Sequence, residues 1–157
     1  HMKFSKKDLS YFNQESNEKF VPAVIETSAG CDRTLLTVLC DAFYEDEVGG
    51  EKRTVLRFAP HIAPIKIAVF PLSKKLSGPV KKLEHELRKF CKTDYDDTGS
   101  IGKLYRRQDE VGTLYCLTVD VQSLEDKQVT VRERDTMQQE RISVEKVKEY
   151  LLQKLTS

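Results

Sequence analysis

Two short stretches bring together residue types able to handle a charged ligand. The first is Glu26-Thr27-Ser28-Ala29-Gly30-Cys31-Asp32-Arg33. Glycine lets a backbone approach a ligand closely, and a helix beginning just after it favours anionic groups. Arg33 in the first helical turn could clamp a phosphate with two parallel bonds, and Glu26 could hold an amine. The same residues also suit an ordinary strand-to-helix turn, with Asp32 as its cap and Arg33 on the surface. The second stretch is Gly99-Ser100-Ile101-Gly102-Lys103-Leu104-Tyr105-Arg106-Arg107-Gln108-Asp109-Glu110. Lys103, Arg106 and Arg107 interleave with Tyr105, which suits RNA: the ring for stacking, the cations for phosphates and base edges. A solvated helix face with an Arg106–Glu110 pair would have the same composition. Close by in character, Thr130-Val131-Arg132-Glu133-Arg134-Asp135 alternates like a strand whose charged side chains project from one face beside that helix.

Other groupings are weaker. Asp94, Asp96 and Asp97 fit a strand-end turn better than a metal cluster, and His85 falls among alternating charges in a helix. No nucleophile elbow joins the Ser, His and Asp residues, and the glycine pairs lack dinucleotide or P-loop spacing. The four cysteines, Cys31, Cys40, Cys91 and Cys116, form no C-x-x-C pair. They are expected to be reduced and mostly buried, as in a cytosolic protein, with no zinc or other metal site. Formal net charge is +1, so any RNA site must come from local clustering. No apolar run is long enough for a membrane span and no signal-type segment opens the chain, so no membrane partner is expected. His1-Met2 reads as the remnant of a cleaved expression tag, so the natural segment is expected to begin at Lys3 or later.

The elements that must position these residues follow from periodicity. Phe20 to Ile25 reads as a short buried strand, and Pro22 argues against a helix there. Leu35, Leu36, Val38, Leu39, Ala42 and Phe43 give a broad helical apolar face that ends at Glu45-Asp46-Glu47. Val48 to Arg53 is the best linker candidate. From Ala63 the pattern alternates. A strand at 65–70 is followed by an amphipathic helix at 76–92, a short edge strand at 93–98 and a basic helix from Gly99-Ser100 to about Glu110, stopped by Gly112. Strands at 115–121 and 128–134 follow, and a last helix starts at Ser143. This is an α/β domain: a mixed β-sheet flanked by helices.

In its motifs the chain resembles the C-terminal part of a class II glycyl-tRNA synthetase of the dimeric type, from about Asp8 to the end. Glu26 to Arg33 is similar to the family's motif 3, usually Glu-Pro-Ser-x-Gly-x-Asp-Arg. Arg57-Phe58, Ala63-Pro64, Pro71-Leu72-Ser73, Gly99 to Gly112 and Arg132 to Met137 match in the same order. The resemblance implies that Glu26, Thr27, Ser28, Ala29 and Gly30 meet glycine. It implies that Gly30, Cys31, Asp32 and Arg33 meet ATP, with Arg33 the catalytic arginine at the γ-phosphate. Lys103, Tyr105, Arg106, Arg107, Val121, Arg132 and Arg134 fall in the region that meets the anticodon. Thr27 and Leu114 stand where the family has proline, which predicts a looser motif 3 turn and an altered loop before the strand at 115.

Motifs 1 and 2 of the catalytic domain are missing. The expected division is a catalytic-domain remnant at 3–50, a linker at 51–62 and an anticodon-binding domain at 63–157. The parent would be a cytoplasmic, homodimeric ligase using ATP with Mg2+ to join glycine to tRNA-Gly. This piece alone would be an inactive, RNA-binding monomer with no cofactor. The other reading is a non-catalytic accessory or RNA-binding protein that reuses the fold.

Overall fold

The computed structural model describes residues 1–156. Contacts divide the chain into two units, with the boundary between Thr34 and Leu35. The first unit holds a single helical turn, α1 (Met2–Ser5), and a hairpin of β1 (Tyr11–Asn13) and β2 (Glu18–Phe20). Tyr11 and Phe20 pair across that hairpin, their rings edge to face at 5.9 Å. Residues 21–30 have no regular structure. The buried strand expected at Phe20 to Ile25 is therefore corrected: only Phe20 is in a strand, and Ile25 is 96% exposed. An extended segment needs a neighbour for its N–H and C=O groups, and no strand among the described residues pairs with this one.

Helix α2 (Cys31–Ala42) spans the unit boundary. Of its apolar face only Ala42 is buried and Val38 partly so, while Leu35, Leu36 and Leu39 stay exposed. Phe43 leaves the helix to open β3 (Phe43–Val48), which pairs antiparallel with β4 (Glu51–Leu56). The two residues between them, Gly49 and Gly50, have φ of +63° and +82°, the left-handed backbone that a tight two-residue hairpin turn requires. Residues 51–62, expected to be a linker, thus begin with a strand. Arg53, Val55 and Phe58 are buried, so the segment is packed rather than spacer-like.

The remaining elements are β5 (Ile67–Pro71), α3 (Ser77–Arg88), β6 (Thr93–Tyr95), α4 (Ile101–Val111), β7 (Tyr115–Val119), α5 (Gln122–Asp126), β8 (Gln128–Glu133), β9 (Gln139–Ser143) and α6 (Val144–Thr156). The strands form one mixed sheet in the order β6-β5-β7-β8-β9. β5 runs parallel to β6 and β7, and β8 runs antiparallel to β7 and β9. Mixed α/β architecture is as expected. Register sorts the side chains onto two faces. Ile67, Val69, Leu117 and Val131 lie with Val80 and Leu87 of α3 and Val147 and Leu151 of α6 in the main core. Ala68, Phe70 and Cys116 lie on the opposite face beneath Leu104 of α4.

Helix α4 covers β5 and β7 on that second face. Cys116 pairs with Arg132 and Arg132 with Gln139, while Thr118 pairs with Thr130 and Thr130 with Arg141. These residues therefore continue the same face outward past α4, as a polar half-sheet. From β5 onward two elements were not foreseen, and before it neither hairpin was. Five-residue α5 is too short for a helical period to register, and edge strand β9 is exposed over its first three residues, so it has no apolar alternation to read. The cysteine expectation also needs correcting: Cys116 is buried and Cys91 half-buried, but Cys31 and Cys40, both on α2, are exposed.

Candidate functional site

The N-terminal half of α4 and the polar half-sheet beside it form the candidate site. Helix α4 starts after Ser100 and ends at Gly112, whose φ of +82° closes the helix with bonds back to Gln108 and Asp109. Leu104 anchors it by burial. At the next residue, the Tyr105 hydroxyl shares a hydrogen bond of 2.7 Å with Thr118 of β7, and its ring stands edge-on to Phe70 at 5.8 Å. Burial pushes the Tyr105 phenol above its ordinary pKa, although the Thr118 bond opposes the shift. The ring is thereby fixed as a surface on which a planar group could rest.

The Arg132 guanidinium lies 4.8 Å from the Tyr105 ring centre. It donates to both oxygens of Asp109 at 2.8 and 3.0 Å. Asp109 is itself buried and also lies 3.5 Å from Arg53, which is fully buried and grips both carboxylate oxygens of Asp46 in β3. Arg134 is buried too, donating to the carbonyls of Leu56 and Gly112 and to Asp135. Arg132 and Arg134, expected to project from one face of the strand beside the helix, are thus both buried. The β3–β4 hairpin and α4 close over them; Arg132 is kept there by the Asp109 carboxylate, and Arg134 by Asp135 and two backbone carbonyls.

The other predicted residues remain nearer the surface. Lys103 is exposed, and Val121, just before α5, is 63% exposed beside exposed Leu124. Arg106 faces Glu51 of β4 at 3.8 Å, in place of the expected Glu110 partner. Arg107 donates to Asp96 at 2.8 Å and to the Thr98 hydroxyl at 2.7 Å. Burial works against the Asp96 charge, but bonds from Thr98 and Arg107 outweigh it and hold the carboxyl below its ordinary range. Asp94 accepts from Gln108 and Asp97 from Tyr95, so the three aspartates do serve the end of β6. Leu114, the departure expected to alter the loop, is buried in the main core.

Sequence reasoning did not single out Thr118, buried against Tyr105, nor Thr130, Gln139 and Arg141 on the same sheet face, where Arg141 donates to Asp120 and Asp126, nor Val48, Glu51 and Met137 around the N-terminal half of α4. The alternation of Gln139 and Arg141 was the available signal. The motif-3-like stretch is placed differently. Every residue from Glu26 to Arg33 is exposed. Helix α2 begins at Cys31, so Asp32 lies inside its first turn rather than capping it, and Thr34 bonds back to the Gly30 carbonyl at 3.0 Å.

A family model, the anticodon binding domain, matches residues 66–154. The chain belongs to the anticodon-binding domain family. Over 96% of its length it is 58% identical to the glycine–tRNA ligase of Ruminiclostridium cellulolyticum, covering 33% of that protein. Over 99% of its length it is 53% identical to the glycine–tRNA ligase of Thermobifida fusca, covering 35% of it. The chain thus spans about a third of these curated relatives. Among solved structures, the RNA-binding domain of threonyl-tRNA synthetase from Cryptosporidium parvum aligns with a TM-score of 0.58 and 25% identity, over 62% of this chain and 25% of that one. The matched anticodon-binding domain includes the whole five-stranded sheet and leaves the β3–β4 hairpin outside it.

Proposed function

We propose that this chain binds the anticodon arm of tRNA-Gly through the N-terminal half of α4 and the polar face of β8 and β9. One observation carries the reading. In a member of the anticodon-binding domain family, α4, which carries Lys103, Tyr105, Arg106 and Arg107, packs on the sheet face that also carries Thr130, Gln139 and Arg141. Glycine codons are GGN, so the second and third anticodon letters are cytosine. Reading them requires splayed bases, a stacking surface and fixed polar groups at their edges. Val121 and Leu124 add apolar contact at one end of that face. Arg132 and Arg134 act from beneath it, by fixing Tyr105 and the hairpin.

The parent protein, on this reading, is a homodimeric cytoplasmic glycine–tRNA ligase that activates glycine with ATP and Mg2+. Residues 3–50 come from its catalytic domain and 63–157 form its anticodon-binding domain. Glu26, Thr27, Ser28, Ala29 and Gly30 would meet glycine. Gly30, Cys31, Asp32 and Arg33 would meet ATP, where Arg33 supplies a charge for the γ-phosphate at a helix start. These side chains are exposed in this chain, so the pocket needs walls from the rest of the parent. The isolated chain is a monomer that forms no glycyl-adenylate.

The test is equilibrium binding at fixed salt to a tRNA-Gly transcript and to one with both anticodon cytosines changed to adenine. Specific readout predicts a loss of ~1–3 kcal/mol per altered base. Equal affinity for both would leave a generic basic surface and favour the accessory-protein reading.

A further inference from the structure

We propose that the groove between α3 and α6 docks an amphipathic helix of a partner protein, its apolar stripe inward and its acidic flank over α3. This groove lies on the sheet face opposite α4, so it is separate from the proposed RNA surface. It measures about 540 Å3, and its apolar lining is Pro79, Leu83, Leu87, Phe90, Val144 and Val147. Leu87 and Val147 are buried and form the floor, while Pro79 and Val144 stay exposed along the rim. The Lys148 ammonium lies 5.6 Å from the centre of the Phe90 ring, joining α6 to the segment that follows α3. The flanking helices run 12 and 13 residues, or about 18–20 Å. That length accepts about three turns of a third helix, whose apolar side chains at i, i+4 and i+7 would fill the groove.

Charge decides what kind of helix fits. From Lys74 to Lys92 the chain carries seven lysines and arginines against two glutamates, a surplus of five in a protein whose formal net charge is +1. Those two glutamates, Glu84 and Glu86, already answer Arg88 and Lys89 at 2.7 and 2.6 Å. Lys74, Lys75, Lys81, Lys82 and Lys92 are exposed and form no ion pair among the described residues. On the other wall Glu145 and Lys148 balance, so the unanswered charge belongs to the α3 side. Such a surplus draws in an acidic partner. The apolar lining then selects within that class. A sugar-phosphate backbone gains nothing from six apolar side chains, whereas a helix with carboxylates beside an apolar stripe satisfies both halves of the surface. Two copies of this chain meeting through this face would set one positive surplus against another, which disfavours a symmetric dimer.

The test is fluorescence anisotropy of the full chain with two designed helical peptides of about 14 residues, roughly four turns, at fixed salt. Both carry the same leucine stripe; one has glutamate on its flanks and the other lysine. The expected result is saturable binding of the glutamate peptide, at least tenfold tighter than that of the lysine peptide. Val144→Glu should weaken the glutamate peptide tenfold or more, and Lys82→Glu should narrow the ratio between the two peptides at least tenfold. Both positions are exposed, and the ratio is taken on one protein sample, so a loss of folded material does not produce it. A tRNA-Gly transcript should leave the peptide bound, because α4 lies on the other face of the sheet. Absence of saturable binding, equal affinity for the two peptides, or undiminished binding by Val144→Glu with an unchanged ratio in Lys82→Glu overturns the proposal. Displacement of the peptide by the transcript assigns the α3 lysines to RNA and overturns it as well.

Discussion

At Asp109 two guanidinium groups converge on one carboxylate, and all three side chains are buried. Removing a single partner from such a cluster strands the others, which is costlier than never having buried the charges. Asp109→Ala should therefore destabilise the chain by about 3–5 kcal/mol in a urea titration. Asp109→Asn, which keeps the volume and an acceptor oxygen, should lose less; equal losses would mean that the charge alone, rather than volume or the retained acceptor, matters there. Cysteine chemistry gives a second residue-scale expectation. Burial pushes the Cys116 thiol up to about 12, and its thiolate is scarce at neutral pH. Cys31 and Cys40 are exposed on α2. Brief iodoacetamide treatment followed by peptide mass spectrometry should modify Cys31 and Cys40 and reach Cys116 only after denaturant is added. Early modification of Cys116 would place it outside the α4-covered face.

Among the elements, the β3–β4 hairpin depends most on a few backbone angles. Gly50→Ala forces a side chain into φ +82° in open space, which should cost about 1 kcal/mol. Gly112→Ala adds a steric clash to the same strain, since its Cβ would fall 2.6 Å from the Leu56 carbonyl and 2.5 Å from the Phe58 ring. Its loss should exceed that of Gly50→Ala, and melting curves of the two variants give the comparison. The hairpin also marks where sequence reading stopped. Helix α4 is legible because it lies between the Gly99-Ser100 turn and Gly112, and β7 because 115–119 is apolar at every position but Thr118. Both arms of the hairpin are rich in charge, and the burial of Arg53 rests on Asp46 across the hairpin and on Asp109, a partner remote in sequence. The burial of Arg132 and Arg134 has the same origin. Alternation identifies a strand, but only the tertiary counter-charge decides which face a guanidinium can occupy. The motif-3-like stretch was legible as a motif and not as structure, because its own residues supply no pairing strand.

Across the whole molecule the charges nearly cancel, yet they are not spread evenly. Asp46, Asp96 and Asp120 are each held below their ordinary carboxyl pKa. Arg53 bonding does this at Asp46, while bonds from Ser, Thr and Arg partners overcome burial at the other two. A lowered folded-state value means that the unfolded chain binds protons first as pH falls. The stabilisation is therefore complete above the ordinary value of 3.8 and is lost below it, as pH passes through the folded-state values. Melting temperature should be flat from pH 7 to 5 with respect to these groups and drop steeply below pH 4, and Asp46→Asn should flatten part of that drop. The near-neutral total also bears on RNA. With a net charge of +1, the proposed RNA affinity calls for a local cluster such as Lys103, Arg106 and Arg107 rather than the chain as a whole. Three phosphate contacts to a single-stranded loop give a slope of about −2 for log affinity against log salt. Lys103→Ala should reduce that slope by about 0.7 while leaving cytosine preference intact, because an exposed ammonium acts as a point charge for phosphate and does not read a base edge. A slope several times steeper, unchanged in Lys103→Ala, would instead place the contact on a broad surface away from α4.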